Sequence, residues 1–501
     1  MKILNIAPTI LDIIDSHYVP IGMGALRDSP PYGFYLLSGI LKAAGHDVVL
    51  ADLIAQGTRS ITHYRSDIED CSLVAIGATS LSWPSAVDLI NQIRRIRKDA
   101  PIVLGGIHPT MFDRYILNTF PVQYIIRGEG EIALPSLCRA LEWEKNLNEV
   151  PNLSWRTPKG EIIRNPIAPL ITGEMLDSFA LPDYSELPPN VYNSLAIESS
   201  RGCAFDCSFC STSYRTTWRS IPAENFVNRL ECIMEHLDKS INRTIHIVDD
   251  EFSMNPKRAA EIGRIIRSRG LNPRLIYDCR ATDVLSDGFI DNIAEFTEFG
   301  LIGAECGYDE GLKLIGKGTT CQIIEDAARK LNEYEICGRM DFSFIIGLPW
   351  ESRIDVERTI RFALTLNNTY NARILLQWYC QLPGSRLWDD AYKKQIVNET
   401  MYDNYGFFRD LYLFRTGVNL TPQEIWELVD MMAQLKLVAD YYYPHQEVIR
   451  YGVPQPIITY FPRDFLSEED TGLPSLRQVS HPELISHTND RGFRATPQFG
   501  P

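Results

Sequence analysis

SRGCAFDCSFC, residues 200–210, places Cys203, Cys207 and Cys210 at the spacing C-x3-C-x2-C. The stretch follows an apolar run, Leu195 to Ser199, that we predict to be a β-strand. Three thiolates on such a loop can bind three irons of a cubane cluster, which leaves the fourth iron open to another ligand. A structural zinc site would need four ligands, and neither a second cysteine pair nor a histidine stands nearby. The spacing therefore favours a [4Fe–4S] cluster.

Five further strand patterns follow the cysteine stretch, and helical patterns separate them. They are Thr244 to Val248, Leu275 to Asp278, Ile302 to Glu305, Asp341 to Ile346 and Ile374 to Tyr379. Six βα units predict a partial (β/α)6 barrel of the TIM type over residues 194–395. In such barrels the chemistry collects on the loops at the carboxyl ends of the strands.

Residues 1–145 also alternate strand and helix patterns, which predicts an open parallel sheet covered by helices. The predicted strands are Ile3 to Ile6, Val48 to Ala51, Leu73 to Gly77, Ile102 to Leu104 and Tyr124 to Ile126. Five βα units predict a flavodoxin-like, Rossmann-type domain, whose ligands lie beyond the carboxyl ends of the strands. The fold class is therefore α/β in both large regions.

Two regions lack this alternation. Residues 146–193 contain seven prolines and are predicted to be a linker or strap. Residues 396–501 are predicted to be a mainly helical substrate cover, with one helix starting at the capping box of Thr421 and Glu424. Aromatic residues that could contact a substrate there and at the barrel mouth are Trp378, Trp388, Phe407, Phe408 and Tyr412.

The composition limits the partners of the chain. A formal net charge of -15 argues against broad electrostatic binding of nucleic acid or an anionic membrane surface. No apolar run reaches the roughly 20 residues that span a bilayer, and the first residues do not read as a signal peptide. Eleven cysteines, most of them scattered singly, suit a reducing compartment, so we expect a cytoplasmic protein.

The cysteine motif, with Phe209 before its last cysteine, resembles the signature of the radical S-adenosylmethionine superfamily. The resemblance implies that S-adenosylmethionine chelates the open iron through its amino and carboxylate groups. Reductive cleavage would then give a 5′-deoxyadenosyl radical. A reductase with flavodoxin, or a ferredoxin, would be the electron donor.

The later strand ends resemble the superfamily's other cosubstrate motifs in the expected order. Asp250 and Glu251 resemble the acidic motif that holds the methionine ammonium, and Arg280 could pair with the methionine carboxylate. Glu305 stands in a segment that resembles the ribose-contacting motif. The adenine-side strand is represented by Ile345 and Gly347.

A flavodoxin-like domain before such a barrel resembles the cobalamin-binding subclass of the superfamily. Glycines at the strand ends would let the backbone approach a corrin ring closely. The residues that this resemblance assigns to cobalamin are Asp52, Gly57, Ser80, Leu81, Ser82, Gly105, Gly106, Gly128 and Glu129. A domain that keeps the fold and binds nothing is the open alternative.

One position departs from cobalamin domains of the methionine-synthase type. Those carry D-x-H-x-x-G, whose histidine ligates cobalt from below, whereas this chain has Ile54 at that place. The resemblance then implies cobalamin without a protein histidine ligand. His108, after the Gly105-Gly106 turn, is interpreted as a hydrogen-bonded surface residue.

Three functions remain open at this point. The leading one is C-methylation of an unactivated carbon in a small metabolite or natural-product precursor, with cobalamin supplying the methyl group. The second is radical ring formation, dehydration or epimerisation without methyl transfer, in which Cys380 could donate a hydrogen atom. The third is a non-catalytic iron–sulfur or corrinoid sensor or electron carrier.

Overall fold

The structure, a computed structural model, describes residues 1–14, 17–21, 29–403, 419–421, 423, 424, 427, 428 and 431. The described residues form two compact units. The first holds residues 1–197, 235–241 and 398–403, and the second holds residues 198–234, 242–397 and the described residues from 419 onwards.

The first unit is built on a seven-stranded sheet and a separate hairpin. Its strands are β1 (Lys2–Ala7), β2 (Ile10–Ile14), β3 (His17–Ile21), β4 (Asp47–Asp52), β5 (Leu73–Gly77), β6 (Ile102–Gly105), β7 (Tyr124–Ile126), β8 (Leu153–Arg156) and β9 (Ile162–Arg164). The sheet order is β4-β1-β5-β6-β7-β8-β9, and β2 pairs with β3. The five predicted strands are parallel and give the flavodoxin-like order, which confirms that prediction.

The sheet is longer than the sequence analysis predicted. β8 and β9 add two antiparallel strands beyond β7, and both fall in the stretch interpreted as a linker. These strands form a short hairpin between prolines. No helix separates β8 from β9, so the alternation that signals a βα unit is absent there.

Helices cover the parallel strands of the first unit, whose side chains are buried as expected of such sheets. They are α1 (Tyr32–Ala43), α2 (Leu53–Gln56), α3 (Arg65–Asp70), α4 (Trp83–Ile96), α5 (Ile107–Met111), α6 (Asp113–Thr119), α7 (Ala133–Glu142) and α8 (Gly173–Ser178).

The second sheet has six parallel strands in chain order. It begins with β10 (Ser194–Ile197) and, after the small antiparallel pair β11 (Ser200–Arg201) and β12 (Arg219–Ser220), continues with β13 (Thr244–Ile247), β14 (Leu275–Cys279), β15 (Thr297–Glu305), β16 (Met340–Ile346) and β17 (Arg373–Trp378). This order confirms the predicted partial barrel of six βα units.

Eight helices of the described residues follow these strands. They are α9 (Ala223–Met234), α10 (Pro256–Ser268), α11 (Ala281–Val284), α12 (Phe289–Ile293), α13 (Asp309–Ile315), α14 (Cys321–Glu333), α15 (Arg353–Tyr370) and α16 (Arg386–Lys393). No helix in the described part of the chain is long and apolar enough to cross a membrane.

The predicted capping box near residue 421 is present. The backbone N–H and hydroxyl of Thr421 both donate to Glu424, at 2.8 and 2.9 Å, and the Glu424 N–H donates back at 3.3 Å. The predicted aromatic contacts Phe407, Phe408 and Tyr412, and most of the predicted cover, lie outside the described residues.

Two helical glycines differ in what surrounds them, and they generate a stability prediction. A Cβ on Gly263 of α10 would lie 2.1 Å from the Asn292 carbonyl oxygen, whereas a Cβ on Gly33 of α1 would meet nothing within 4 Å. We expect Gly263→Ala to destabilise the protein by about 1–3 kcal/mol, because α10 and α12 must separate. The control, Gly33→Ala, should be neutral or stabilising by about 0.5 kcal/mol.

Thermal unfolding of the two variants against wild type measures this. Equal midpoints for Gly263→Ala and wild type would show that α10 and α12 do not approach this closely.

Candidate active site

The three motif cysteines lie together on the loop between β11 and β12. Cys207 is buried, while Cys203 and Cys210 are partly exposed. The Cys210 N–H donates to the Cys207 carbonyl at 3.1 Å, and the Thr212 N–H donates to the Cys210 sulfur at 3.4 Å. A backbone N–H aimed at a cysteine sulfur is the kind of contact that tunes iron–sulfur clusters.

The three thiols of the loop are compatible with a cubane cluster. Among the residues that the structure describes, no three His, Cys, Asp or Glu side chains converge as they would on one ion. In a cubane each cysteine binds its own iron, so the thiols need not meet at a point. Burial raises the pKa of the Cys203 thiol to about 11 and also raises that of Cys207. Bound iron would hold these thiols as thiolates.

Asp249, at the end of β13, fixes the start of the cysteine loop. Its carboxylate accepts four hydrogen bonds, from the backbone N–H and the hydroxyl of both Ser199 and Ser200, at 2.6 to 3.0 Å. Arg258 lies behind it and donates to the Ser199 carbonyl at 2.8 Å. Sequence reasoning missed this role, although Asp249 stands in the acidic motif.

The predicted cosubstrate residue Asp250 also contacts the loop. One of its oxygens accepts the Gly202 N–H at 2.8 Å and the other accepts the Thr212 hydroxyl at 3.2 Å. Gly202 has φ +85, and a Cβ there would lie 2.3 Å from the Thr217 carbonyl oxygen. Only glycine fits at this turn, which leads directly into Cys203.

Contacts on the other side of the loop come from α13 and α16. The Ser208 N–H donates to the Ile315 carbonyl at 2.8 Å, and the Leu387 N–H donates to the Ser208 carbonyl at 3.0 Å. Asp206 pairs with Arg215 at 3.1 Å and with Arg386 at 3.2 Å. The loop is therefore fixed from several elements of the second unit.

Arg280, which directly follows β14, offers an unpaired buried donor beside the cysteines. Its guanidinium carbon lies 3.6 Å from the centre of the Phe205 ring, and Nη2 donates to the Lys317 carbonyl. Its Nε has no hydrogen-bond partner among the described residues, although the residue is only 4% exposed. Leaving a buried charged donor unpaired is costly, so this atom fits an anionic ligand such as a carboxylate.

A buried ion pair lies next to Arg280. The Lys317 ammonium contacts Glu305 Oε1 at 2.7 Å, and both residues are less than a tenth exposed. Burial alone would lower the pKa of Lys317, but the Glu305 carboxylate more than offsets this and raises it. Gly303 makes room for the pair, since a Cβ there would lie 2.2 Å from Glu305 Oε1 and 2.4 Å from the ammonium.

Glu305 itself adopts a strained backbone conformation. Its φ is +65, and the register of β15 against β16 shifts between Gly303 and Glu305. Non-glycine residues in this region occur preferentially where function fixes a side chain. Sequence reasoning found Glu305 and missed Lys317, whose only local signal is its place between Gly316 and Gly318.

Glu251 is a second buried acid on this side of the barrel. Its Oε1 accepts the Ser253 hydroxyl at 2.6 Å, and burial raises its pKa to about 8. The carboxyl is therefore largely protonated at neutral pH. A cation placed against it would ionise it, which suits the predicted contact to an ammonium group.

The predicted adenine-side loop is fixed by Glu351, which sequence reasoning did not select. Glu351 is fully buried and accepts the Leu348 N–H and the Tyr308 hydroxyl, both at 2.9 Å. Gly347 at the start of this loop has φ +76, and Ile345 is half-buried. The remaining candidates in this unit, Phe209 and Cys380, are both half-buried, at the cysteine loop and just past β17.

In the first unit, Asp52 has a different set of partners from the one a D-x-H motif would give it. It caps α2 by accepting the Ala55 N–H at 3.0 Å. Its other oxygen accepts the hydroxyls of Tyr35 and Tyr192 at 2.9 and 2.7 Å. Ile54 on α2 is half-buried, and Gly57 ends this helix with φ +62. Asp52 therefore connects the start of α2 to Tyr35 and Tyr192 by hydrogen bonds.

The other predicted corrinoid residues lie at the carboxyl ends of β5, β6 and β7. The hydroxyl of Ser80 contacts His108 Nδ1 at 3.1 Å, and Leu81 and Ser82 follow before α4 begins. Gly106 has φ +92, and a Cβ there would lie 2.6 Å from the Ala78 carbonyl oxygen.

The last of these loops follows β7. Gly128 has φ +74 and donates its N–H to Thr110 at 2.9 Å. Glu129 accepts the Ile171 N–H at 2.7 Å, so one of its oxygens is used within the unit. Gly105 ends β6 and precedes the sharp turn at Gly106.

One interpretation of the sequence is corrected in this unit. His108 is fully buried, not on the surface, because it lies in the first turn of α5, directly behind the Gly106 turn, and its ring stacks on Trp83 at 4.6 Å. Burial lowers its pKa to about 3, so the ring is neutral.

Comparisons with known proteins identify the two domains of the chain. Residues 20–138 match the B12 binding domain, and residues 197–363 match the radical SAM superfamily. An uncharacterized methyltransferase of Pyrococcus horikoshii is 30% identical over 74% of this chain and 80% of its own length. The anaerobic magnesium-protoporphyrin IX monomethyl ester cyclase of Rubrivivax gelatinosus is 27% identical over 75% of this chain and 69% of its own length.

Among solved structures, the fold is similar to that of the radical S-adenosylmethionine methyltransferase TsrM from Kitasatospora setae, determined with tryptophan substrate and a SAM analogue. The TM-score is 0.63 at 20% identity, and the match covers 78% of this chain and 76% of that one. With the two domains matched in order and a relative similar over most of its length, the chain belongs to the cobalamin-binding radical S-adenosylmethionine enzymes, whose cofactors are a [4Fe–4S] cluster, S-adenosylmethionine and cobalamin.

Proposed function

We propose that this enzyme methylates an unactivated carbon of a small metabolite or natural-product precursor. The observation that carries the proposal is the presence, in one chain, of a fixed three-cysteine loop beside a buried arginine whose Nε has no partner among the described residues, and of a corrinoid-type domain. The methyltransferase names of the Pyrococcus horikoshii and Kitasatospora setae proteins support it.

The proposed roles follow from the contacts. Cys203, Cys207 and Cys210 bind three irons, and Arg280 Nε binds the methionine carboxylate of S-adenosylmethionine. Glu251 accepts its ammonium group. When bound, the cluster and S-adenosylmethionine supply a radical that removes hydrogen from carbon, and cobalamin supplies a methyl group.

Other residues position these groups and limit water around them. Lys317 neutralises Glu305 on one side and leaves its second carboxylate oxygen for the ribose hydroxyls. Glu351 fixes the loop that begins at Gly347, against which the adenine would pack. Phe209 and Ile345 supply apolar surface there.

A second candidate function has its own support. The Rubrivivax gelatinosus relative is named a cyclase, so ring formation without methyl transfer is the alternative. Cys380, half-buried just past β17, would be the hydrogen-atom donor in that case.

The products formed from S-adenosylmethionine distinguish the two. Substrates are supplied from an extract of small molecules to the anaerobic, reduced holoenzyme. Methylation predicts both S-adenosylhomocysteine and 5′-deoxyadenosine, in step with a product heavier by one methylene. 5′-Deoxyadenosine without S-adenosylhomocysteine would contradict the proposal and favour the alternative.

The cysteine assignment predicts that the cluster is lost when a motif cysteine is replaced and kept when another cysteine is replaced. Each of Cys203→Ala, Cys207→Ala and Cys210→Ala should remove the cluster's visible absorption and its bound iron, because two cysteines cannot hold the cubane in place. Cys232→Ala is the control, since that thiol is exposed on α9. Iron analysis and 5′-deoxyadenosine formation are the measurements. Iron retained in any of the three variants would contradict the assignment.

The position of Ile54 predicts how cobalt is ligated. Because no histidine occupies this place, isotopic labelling of histidine nitrogen should leave the paramagnetic resonance spectrum of bound cob(II)alamin unchanged. Ile54→His should place an imidazole there and make the spectrum sensitive to the label. Gln56→His, on the exposed face of α2, is the matched control and should behave as wild type. A label effect in wild type would show that another histidine ligates cobalt.

A further inference from the structure

Residues 398–403 belong to the first unit, although they follow α16 in the chain. Asp403 makes two hydrogen bonds with helices of this unit. Its Oδ1 accepts the Trp83 indole N–H at 2.9 Å, and its Oδ2 accepts the Tyr115 hydroxyl. The two donors lie on α4 and α6, so one carboxylate joins two helices of the unit.

The position of Trp83 connects this contact to the proposed corrinoid loops. Trp83 is fully buried and is the first residue of α4, directly after the loop of Ser80, Leu81 and Ser82. An indole held at its N–H by Asp403 cannot rotate without breaking that bond. The orientation of the loop that precedes it therefore depends on Asp403.

A stack of rings extends the connection to the next loop. The His108 ring stacks on Trp83, and the Tyr402 ring lies 5.8 Å from His108 and 5.9 Å from Phe112. His108 follows the Gly105-Gly106 turn, and its Nδ1 contacts the Ser80 hydroxyl. Tyr402, fully buried, therefore packs on the ring that links the two loops.

We propose that Asp403 and Tyr402 are positioning residues for cobalamin, and that binding of cobalamin and docking of residues 398–403 are thermodynamically coupled. The inference rests on the proposed corrinoid site. Because coupling is reciprocal, a segment that orders the loops for cobalamin must itself be held more tightly when cobalamin is bound. The docking of residues 398–403 would thus depend on whether cobalamin is bound.

The test measures hydroxocobalamin binding to the full-length, cluster-loaded protein by its visible absorption. Asp403→Ala and Trp83→Phe should each weaken binding about tenfold, the range for losing a part-buried hydrogen bond to a charged group. The double variant should lose little more than Asp403→Ala, because both substitutions remove the hydrogen bond between Trp83 and Asp403. Asp390→Ala is the control, since that acid on α16 is 63% exposed and pairs with Lys393 at 3.6 Å.

Hydrogen exchange supplies a readout that a general loss of stability would not mimic. Hydroxocobalamin should slow amide exchange at residues 398–403 in wild type and in Asp390→Ala, and should slow it less in Trp83→Phe. Bound iron should be equal in all variants. Asp403→Asn keeps an acceptor for the indole, so it should bind hydroxocobalamin more tightly than Asp403→Ala. It also provides a second variant at this position if the alanine variant fails to fold.

Unchanged affinity in Trp83→Phe and Asp403→Ala, or additive losses in the double variant, would overturn the inference while leaving the proposed function intact. Wild-type protein that binds iron and no hydroxocobalamin would overturn both.

Discussion

The geometry of the site depends on the hydrogen bonds that the buried Asp249 carboxylate accepts from the chain before the cysteines. Asp249 accepts four hydrogen bonds from two consecutive serines. These bonds fix the direction in which the backbone enters the cysteine loop. A buried carboxylate is stable only when donors surround it, and here those donors are the residues that lead into the cysteine loop. Because burying the Asp249 charge is unfavourable without these donors, the loop conformation that supplies them is favoured. Gly202 then makes the turn that no other residue would fit.

Beyond this loop, the second unit buries several ionisable side chains near the cysteines. Arg280 keeps a donor unpaired, and Glu251 is held neutral by burial, while Lys317 and Glu305 neutralise each other. Such a set would be unfavourable in a purely structural core. It is suited to a zwitterionic methionine group, whose carboxylate and ammonium would complete the pairing.

The sequence was sufficient for the parallel strands of both sheets, and its cysteine spacing is the basis of the predicted cluster ligands. Buried parallel strands have a strong apolar pattern, and the cysteines lie within eleven residues, so both signals are local. β8 and β9 were missed because a short hairpin among prolines carries no helix period. Lys317 and Glu351 were missed because their partners come from other elements of the barrel. The burial of His108 likewise depends on Trp83, which no spacing in the sequence reveals.

The central claim is that one chain holds an iron–sulfur cluster and a corrinoid together. Anaerobic purification from cells supplied with cobalamin, followed by iron and corrinoid analysis of the same sample, tests it most directly. The account predicts about four irons and about one corrinoid for each chain. A full complement of iron with corrinoid near zero would contradict it.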